Sequence, residues 1–428
     1  MSSRKSKSRR RTSPSRHSAA FTPSLPVEIW TRIFESAGFP LAKDVEDATA
    51  LAVIFGLQGG RTQDCRPALW IESHRTLNAI SLTCRQWSTI CTPLIYNFIW
   101  ISKPEHTLRL LPLLRRSPAN NSLHGNTFGT AVRAVIVSYF FISGAVLKSL
   151  CDLCPDLRFL DMRAVRIKNV SQWRAVEKSL SQLSSLRYLD SCWTTSTLTD
   201  LQPSPKAFLF PQLRRLTVSF VPWCGLGAWQ TPALRHLSFF LHAFNSAQIK
   251  NHIVPFLRSN GSQIERLALN IDPDFNTVEA FSHFGGNAIV PLCPNLRELS
   301  VSLPHLIPLI WDSSHPFRLS KLRHFIIALP SVDRFDSDLL KPVFQSLTRS
   351  HFPRIQGIIL GSSYPVNLSQ EPKPERKVLL PSWWIDVLGT WKCDRIAVVQ
   401  VPECIQLTYS ALIQYADFDD TAVIKPAE

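Results

Sequence analysis

The chain has 428 residues, 45% of them hydrophobic, which excludes a disordered protein and allows two or three domains with a large core. Its 47 Lys and Arg against 32 Asp and Glu give a formal charge of +15, but seven of the basic residues precede the first acid, Glu28, and the remainder is only mildly basic. Ten scattered cysteines lie in apolar stretches, where a free Cys behaves as a small hydrophobe, and this suits a reducing compartment.

Residues 1–20 are Ser, Arg and Lys with almost no apolar side chain, so burial cannot offset the entropy of ordering and a disordered basic tail is expected. Arg4, Lys5, Lys7, Arg9, Arg10 and Arg11 form an acid-free cluster, a candidate nuclear-localisation signal. A non-specific nucleic-acid contact and a plain solvated tail are the alternatives. The tail runs into Ser, Thr and Pro rather than an apolar segment, so no secretory signal is expected and the expected location is cytoplasmic, nuclear or both. The sequons starting at Asn120, Asn169, Asn260 and Asn367 are then accidental.

From residue 21 to 105 the pattern is helical. Pro26 suits a first turn, Glu28 sits well at the positive end of a helix dipole, and Ile29, Trp30, Ile33 and Phe34 gather on one face. Leu77, Ile80, Cys84, Trp87 and Cys91 step by three, four, three and four residues as a second helical stripe, and Pro93 is expected to open a short third segment carrying Leu94, Ile95 and Phe98. So small a unit keeps apolar surface for a partner. Leu25-Pro26, Glu28-Ile29, Ile33-Phe34, Leu82, Cys84-Arg85, Trp87 and the Pro93-Leu94-Ile95-Tyr96 run resemble an F-box. The resemblance implies docking onto a Skp-type adaptor and, through it, a cullin ubiquitin ligase. It makes Leu25, Pro26, Glu28, Ile29, Ile33, Phe34, Leu82, Cys84, Arg85 and Trp87 the candidate adaptor contacts. Residues 38–74, with Gly38, Pro40, Gly56 and Gly59-Gly60, read as an insertion where the family has a short connection. The alternative is a helical cap on a repeat protein.

Ala134 to Leu147 is uncharged but only 14 residues long, too short to cross a bilayer, and reads as a buried strand followed by a helix. Residues 106–410 then repeat. Apolar residues at positions 1, 4 and 6, usually with Arg at position 2, recur from Leu157, Leu213, Leu234, Ile264, Leu296, Leu322 and Ile355, with a weaker copy at Leu186 and terminal copies at Val132 and Cys393. Pro155, Pro211, Pro232, Pro294 and Pro353 stand two residues before a repeat, where each is expected to end a helix and begin an extended segment. Helix-like spans lie between, at Val146–Leu153, Val176–Leu183, Ala247–Leu257 and Asp338–Leu347. The expected fold class is α/β: a short helical unit followed by a right-handed solenoid with a parallel concave sheet. The repeats resemble leucine-rich repeats, although the position such repeats give to Asn holds other residues here.

Alternation along each strand predicts an outward set: Phe159, Asp161, Arg163, Tyr188, Asp190, Arg215, Thr217, His236, Phe240, Arg266, Glu298 and His324. Aromatic and Arg side chains interleaved with acids suit a protein-binding face, so Phe159, Arg163, Tyr188, Arg215, His236, Phe240, Arg266, Glu298 and His324 are candidate contacts for a protein target. Residues 362–377 read as a Pro-rich surface loop, Trp383, Trp384 and Trp391 as a helix packed over the last repeat, and residues 411–428 as a C-terminal tail.

Cys151-Asp-Leu-Cys154 is the only C-x-x-C, and no partner pair lies at zinc-ligand spacing, so no metal or cofactor is expected. The sequence has no G-x-S-x-G, Walker-type, H-E-x-x-H or G-x-G-x-x-G motif, and no enzymatic activity is expected. The reading that results is a target-recognition subunit of a cullin-type ligase. A repeat scaffold with no ligase role and a nucleic-acid-associated protein acting through its tail are the alternatives.

Overall fold

The computed structural model describes residues 25–37, 68–101, 103–116, 127–137, 142–162, 165–167, 169–192, 208–219, 226–241, 253–271, 290–301, 319–329, 341, 344–362 and 382–400. Its centre is an eleven-stranded, all-parallel sheet whose spatial order is the order of the chain. The strands are β1 (Phe98–Ile101), β2 (Ala134–Val137), β3 (Phe159–Asp161), β4 (Tyr188–Cys192), β5 (Arg215–Ser219), β6 (His236–Leu241), β7 (Arg266–Ile271), β8 (Glu298–Val301), β9 (His324–Leu329), β10 (Gly357–Ser362) and β11 (Ala397–Gln400). Parallel neighbours need a crossover between them, and Gly144–Leu153 and Val170–Ser181 are two of the connecting helices. The molecule is therefore an α/β repeat with one long parallel sheet.

The nine repeats that start at Val132 to Ile355 put their first and fourth residues, and six of them also the sixth, into one continuous core that runs from Ile99 to Ile396. Leu157, Leu160 and Met162, or Leu234, Leu237 and Phe239, are completely or almost completely buried. Entry into the strands after β1 is a tight turn. The N–H of position 1 donates to the carbonyl three residues back, as Leu157 does to Cys154 (3.2 Å), Leu234 to Thr231 (3.0 Å), Leu296 to Cys293 (3.1 Å) and Ile355 to Phe352 (3.0 Å). The prolines at 155, 211, 232, 294 and 353 occupy the second position of these turns, where a fixed φ is favoured, rather than acting only as helix terminators.

This turn also accounts for the C-x-x-C. Cys154 and Cys293 are the buried first residues of two such turns, and Cys151 belongs to the buried face of the helix Gly144–Leu153. Burial raises all three thiols, Cys154 and Cys293 to about 12. They are apolar core groups. Among the described residues, no group of three or more His, Cys, Asp and Glu is placed to hold a metal ion, and no helix is long and apolar enough to cross a membrane.

Four expectations are corrected by the register. The weak copy at Leu186 is a full member, with Tyr188 beside Arg215 and Leu189 beside Leu216. The last copy does not begin at Cys393, because the helix Ser382–Cys393 extends through it and the chain turns at Arg395, whose φ is 54°. Gly357 pairs with Ala397, so the terminal repeat starts two residues later, at Arg395. Pro93 does not open a helix but lies inside one, Arg85–Asn97, and Phe98 is already strand β1. The second helical stripe is divided between two helices, Ala68–Ser81 and Arg85–Asn97, and the first begins within the stretch read as insertion.

Trp391 is buried on the helix Ser382–Cys393 and meets Phe344 edge-on at 5.8 Å, as its place over the last repeats requires. The expected helix at Val176–Leu183 forms as Val170–Ser181, capped by Asn169, whose side chain accepts the Gln172 N–H. Ala247–Leu257 is described only from residue 253, where the helix Val254–Asn260 follows, and of Asp338–Leu347 only residues 341 and 344–347 are described.

Candidate functional site

Two surfaces carry the candidate residues. The first is the helical unit formed by α1 (Val27–Ala37), α2 (Ala68–Ser81) and α3 (Arg85–Asn97). The Pro26 carbonyl accepts the N–H groups of Ile29 (3.0 Å) and Trp30 (3.2 Å), which starts α1. Phe34, Leu77 and Cys91 make a small core of their own, lined by Trp30, Ile80, Trp87, Ile90, Leu94 and Ile95. Trp30, Phe34 and Trp87 form a three-ring cluster with centroids 5.0 to 5.6 Å apart.

That cluster changes the candidate docking set. Phe34 is 2% exposed and Trp87 half-buried, so these two hold the unit together rather than facing a partner. Cys84 is exposed but caps α3, its sulfur accepting the Trp87 N–H at 3.5 Å. Leu25, Pro26, Glu28, Ile29, Ile33, Leu82 and Arg85 are exposed, as a docking face requires. Ile29 and Ile33, each 44% exposed, lie one turn apart on α1, and Leu82, in the link between α2 and α3, is 86% exposed. Val27, 51% exposed, belongs with them. The F-box resemblance that chose the others does not include it.

The unit is joined to the sheet without a linker, because α3 passes directly into β1. Tyr96 stacks on Phe128 at 4.8 Å, and the Asn97 carbonyl accepts the Arg133 N–H at 2.8 Å.

The second surface is the sheet face opposite the core. The third residues of successive repeats, Phe159, Tyr188, Arg215, His236, Arg266, Glu298 and His324, stand side by side in exact strand register. Phe159 and Tyr188 are stacked almost parallel, 4.3 Å apart, and the Arg215 guanidinium carbon lies 5.4 Å from the Tyr188 ring centre. The Tyr188 hydroxyl donates to Asp190 (3.2 Å). Arg266 and Glu298 are paired at 2.9 Å.

Facing away from the core is therefore not the same as being exposed. Phe159, Asp161, Tyr188, Asp190, Thr217 and Glu298 are buried, which removes Phe159, Tyr188 and Glu298 from the candidate target contacts. Arg215, His236, Arg266 and His324 are half-exposed and remain. Burial together with Arg266 and Arg215 depresses His236 to about 3, and burial with Arg323 and Arg266 lowers His324. His236 is accordingly neutral at physiological pH, a hydrogen-bonding group rather than a charge.

Arg163, the basic cluster at residues 4–11 and residues 363–377 lie outside the described residues, as does residue 411 onward. Phe240 is placed in β6, beside Asn270 and Ser219, but its side chain is not among the described ones.

No family model matches the chain, and no curated protein matches it. Among solved structures, a crystal structure of a Bacteroides fragilis protein is similar with a TM-score of 0.34 and 8% identity over 76% of this chain and 83% of that one. The yeast Rad7 and Elc1 complex is similar with a TM-score of 0.28 and 13% identity over 83% of this chain and 97% of that one. At these scores neither likeness bears on function.

Proposed function

We propose that the chain is a non-catalytic target-recognition subunit of a cullin-type ubiquitin ligase, with the helical unit docking a Skp-type adaptor and the sheet recruiting a target. The observation that carries this reading is the exposure of Leu25, Val27, Ile29, Ile33 and Leu82 on a unit whose own core is already closed by Phe34, Leu77 and Cys91. Isolated apolar side chains need no explanation, but five on one small helical unit suit a protein interface. The F-box resemblance of Leu25-Pro26, Glu28-Ile29 and Ile33 adds the kind of partner. A unit that continues into a long repeat sheet through α3 and β1 would hold a bound target at a fixed distance from the adaptor.

The test is co-precipitation of a Skp-type adaptor with the full chain and with an Ile29→Glu, Ile33→Glu variant. Both side chains are exposed, so the variant is expected to fold with an unchanged melting temperature and to lose the adaptor. Undiminished capture by the variant, or no capture by the unaltered chain, would overturn the reading, and the second result would leave a repeat scaffold with no ligase role.

A further inference from the structure

Among the described residues β11 is the outermost strand on its side of the sheet, paired with β10 and with no strand beyond it. Such an edge offers a row of backbone N–H and C=O groups to any extended chain, and proteins commonly close it with Lys, Pro or a covering segment. Ala397-Val398-Val399-Gln400 carries neither a charge nor a Pro.

The residues that follow have the pattern a covering segment needs. Ile405, Leu407, Tyr409 and Ala411 alternate with Gln406, Thr408 and Ser410, a period of two that gathers the apolar side chains on one face of a strand. Between Gln400 and Ile405 stand only Val401, Pro402, Glu403 and Cys404. A further parallel strand would need a crossover of about a dozen residues or more, so a strand at 405–411 can join β11 only by turning back antiparallel. Pro402 suits that turn. It cannot donate to a ladder, and its fixed φ is favoured at the second position of a four-residue turn.

The register agrees. A four-residue connection sets Gln400 opposite Ile405, Val399 opposite Gln406 and Val398 opposite Leu407. Val398 stands beside Ile358, a fourth-position residue buried in the core, and Gln400, two residues on, shares the face of Val398. Residues directly opposite each other also share a face, so Ile405, Leu407 and Tyr409 fall on the core side and Gln406 and Thr408 on the other. A slip of one residue would exchange the two sets.

We propose that residues 405–411 pair antiparallel with β11 and cap the sheet, closing its edge against other chains. The competing occupant is a second copy of the protein, paired through its own β11. A tether of four residues gives the segment an effective concentration on the order of millimolar, which favours it over a second copy at micromolar concentration.

The experiment is amide hydrogen exchange on the full chain at micromolar concentration, read peptide by peptide, with light scattering for the mass. In the unaltered chain, residues 397–400 and 405–410 are expected to exchange about tenfold or more slowly than the same sequences in short free peptides, and the chain to run as a monomer. Neighbouring residues of a strand point their N–H groups to opposite sides, so replacing Leu407 and Thr408 together by Pro removes a ladder donor in either phase. That variant is expected to exchange about tenfold or more faster over both segments while β9 keeps its protection. Circular dichroism checks the fold, and if the Pro variant fails to fold, a Leu407→Lys, Tyr409→Lys variant decides by the same reading. Residues 405–410 that exchange freely in the unaltered chain overturn the proposal, and so does protection of 397–400 that survives the substitutions. A dimer whose protection at 397–400 is lost on dilution gives the edge to a second copy and overturns it as well.

Discussion

Glu177 lies on the helix Val170–Ser181, fully buried, with one carboxylate oxygen accepting the Trp229 indole N–H at 2.9 Å and the other without a hydrogen-bond partner among the described residues. Burial raises its pKa from 4.5 to about 7, against the smaller opposing effects of Trp229 and Arg174. Between those two values the folded chain holds a proton that the unfolded chain has released, so stability falls as pH rises. At about 1.4 kcal/mol per pH unit the fall amounts to about 3 kcal/mol, complete above about pH 7 and absent below about 4.5. His236 acts in the opposite direction. Its pKa falls from 6.5 to about 3 on folding, so it adds stability as pH rises through that range and masks part of the effect in the unaltered chain. The informative quantity is therefore the difference between unaltered and Glu177→Gln chains in urea unfolding from pH 4.5 to 8. Gln keeps an oxygen for the Trp229 N–H and removes the titration, while His236 is common to both. The variant should gain relative to the unaltered chain by about 2 to 3 kcal/mol from the acid to the alkaline end. A difference that stays flat with pH would show that Glu177 ionises as an ordinary carboxyl and that the burial argument fails.

Two further expectations concern the joints between repeats. Asn260→Ala should cost about 2 to 4 kcal/mol in thermal or urea unfolding, because the buried side chain accepts from the Thr231 N–H and hydroxyl (2.9 and 3.0 Å) and donates to the Trp229 and Phe256 carbonyls (both 3.0 Å); a loss under 1 kcal/mol would mean that water replaces these bonds. Gly261→Ala should destabilise by about 1 to 3 kcal/mol, since its Cβ would lie 2.2 Å from the Leu292 carbonyl oxygen, while Gly389→Ala, with nothing within 4 Å in the helix Ser382–Cys393, should be neutral or stabilising by up to about 1 kcal/mol; equal melting temperatures for the two variants would contradict the close approach at 261.

The repeats were legible because the core selects on period. Leu157, Leu213, Leu234 and Leu296 mark strand entries whatever else the sequence does, and the parallel sheet with its chain-order topology follows from them. What period alone misses is chemistry that joins one turn to the next. Asn260 reads in the sequence as a chance sequon and proves to be a fully bonded buried bridge from its own helix back to Trp229 and Thr231. Its signal was its place just before a repeat, next to Gly261, where the chain also comes closest to the following turn at Leu292. The misplaced terminal copy has a related cause. Cys393 and Ile396 satisfy the apolar spacing, but helix Ser382–Cys393 continues past the point where a strand would have to begin, and Arg395 absorbs the reversal.

The candidate surfaces were less legible, because exposure is decided between repeats rather than within one. Alternation along a strand assigns a face correctly, and all the third-position residues do share one. Whether such a residue meets solvent depends on its neighbours about 4.8 Å away on either side, which belong to other repeats some thirty positions distant in sequence. Phe159 is hidden because Tyr188 covers it, and Glu298 is drawn in by Arg266. The exposed Ile29 and Ile33 needed no such lateral information. One helix with its own neighbours Phe34 and Trp87 decides their exposure, so spacing along α1 is enough to place them on one open face, whereas the resemblance that chose the wider candidate set neither separates the buried Phe34, the half-buried Trp87 and the capping Cys84 from it nor includes Val27.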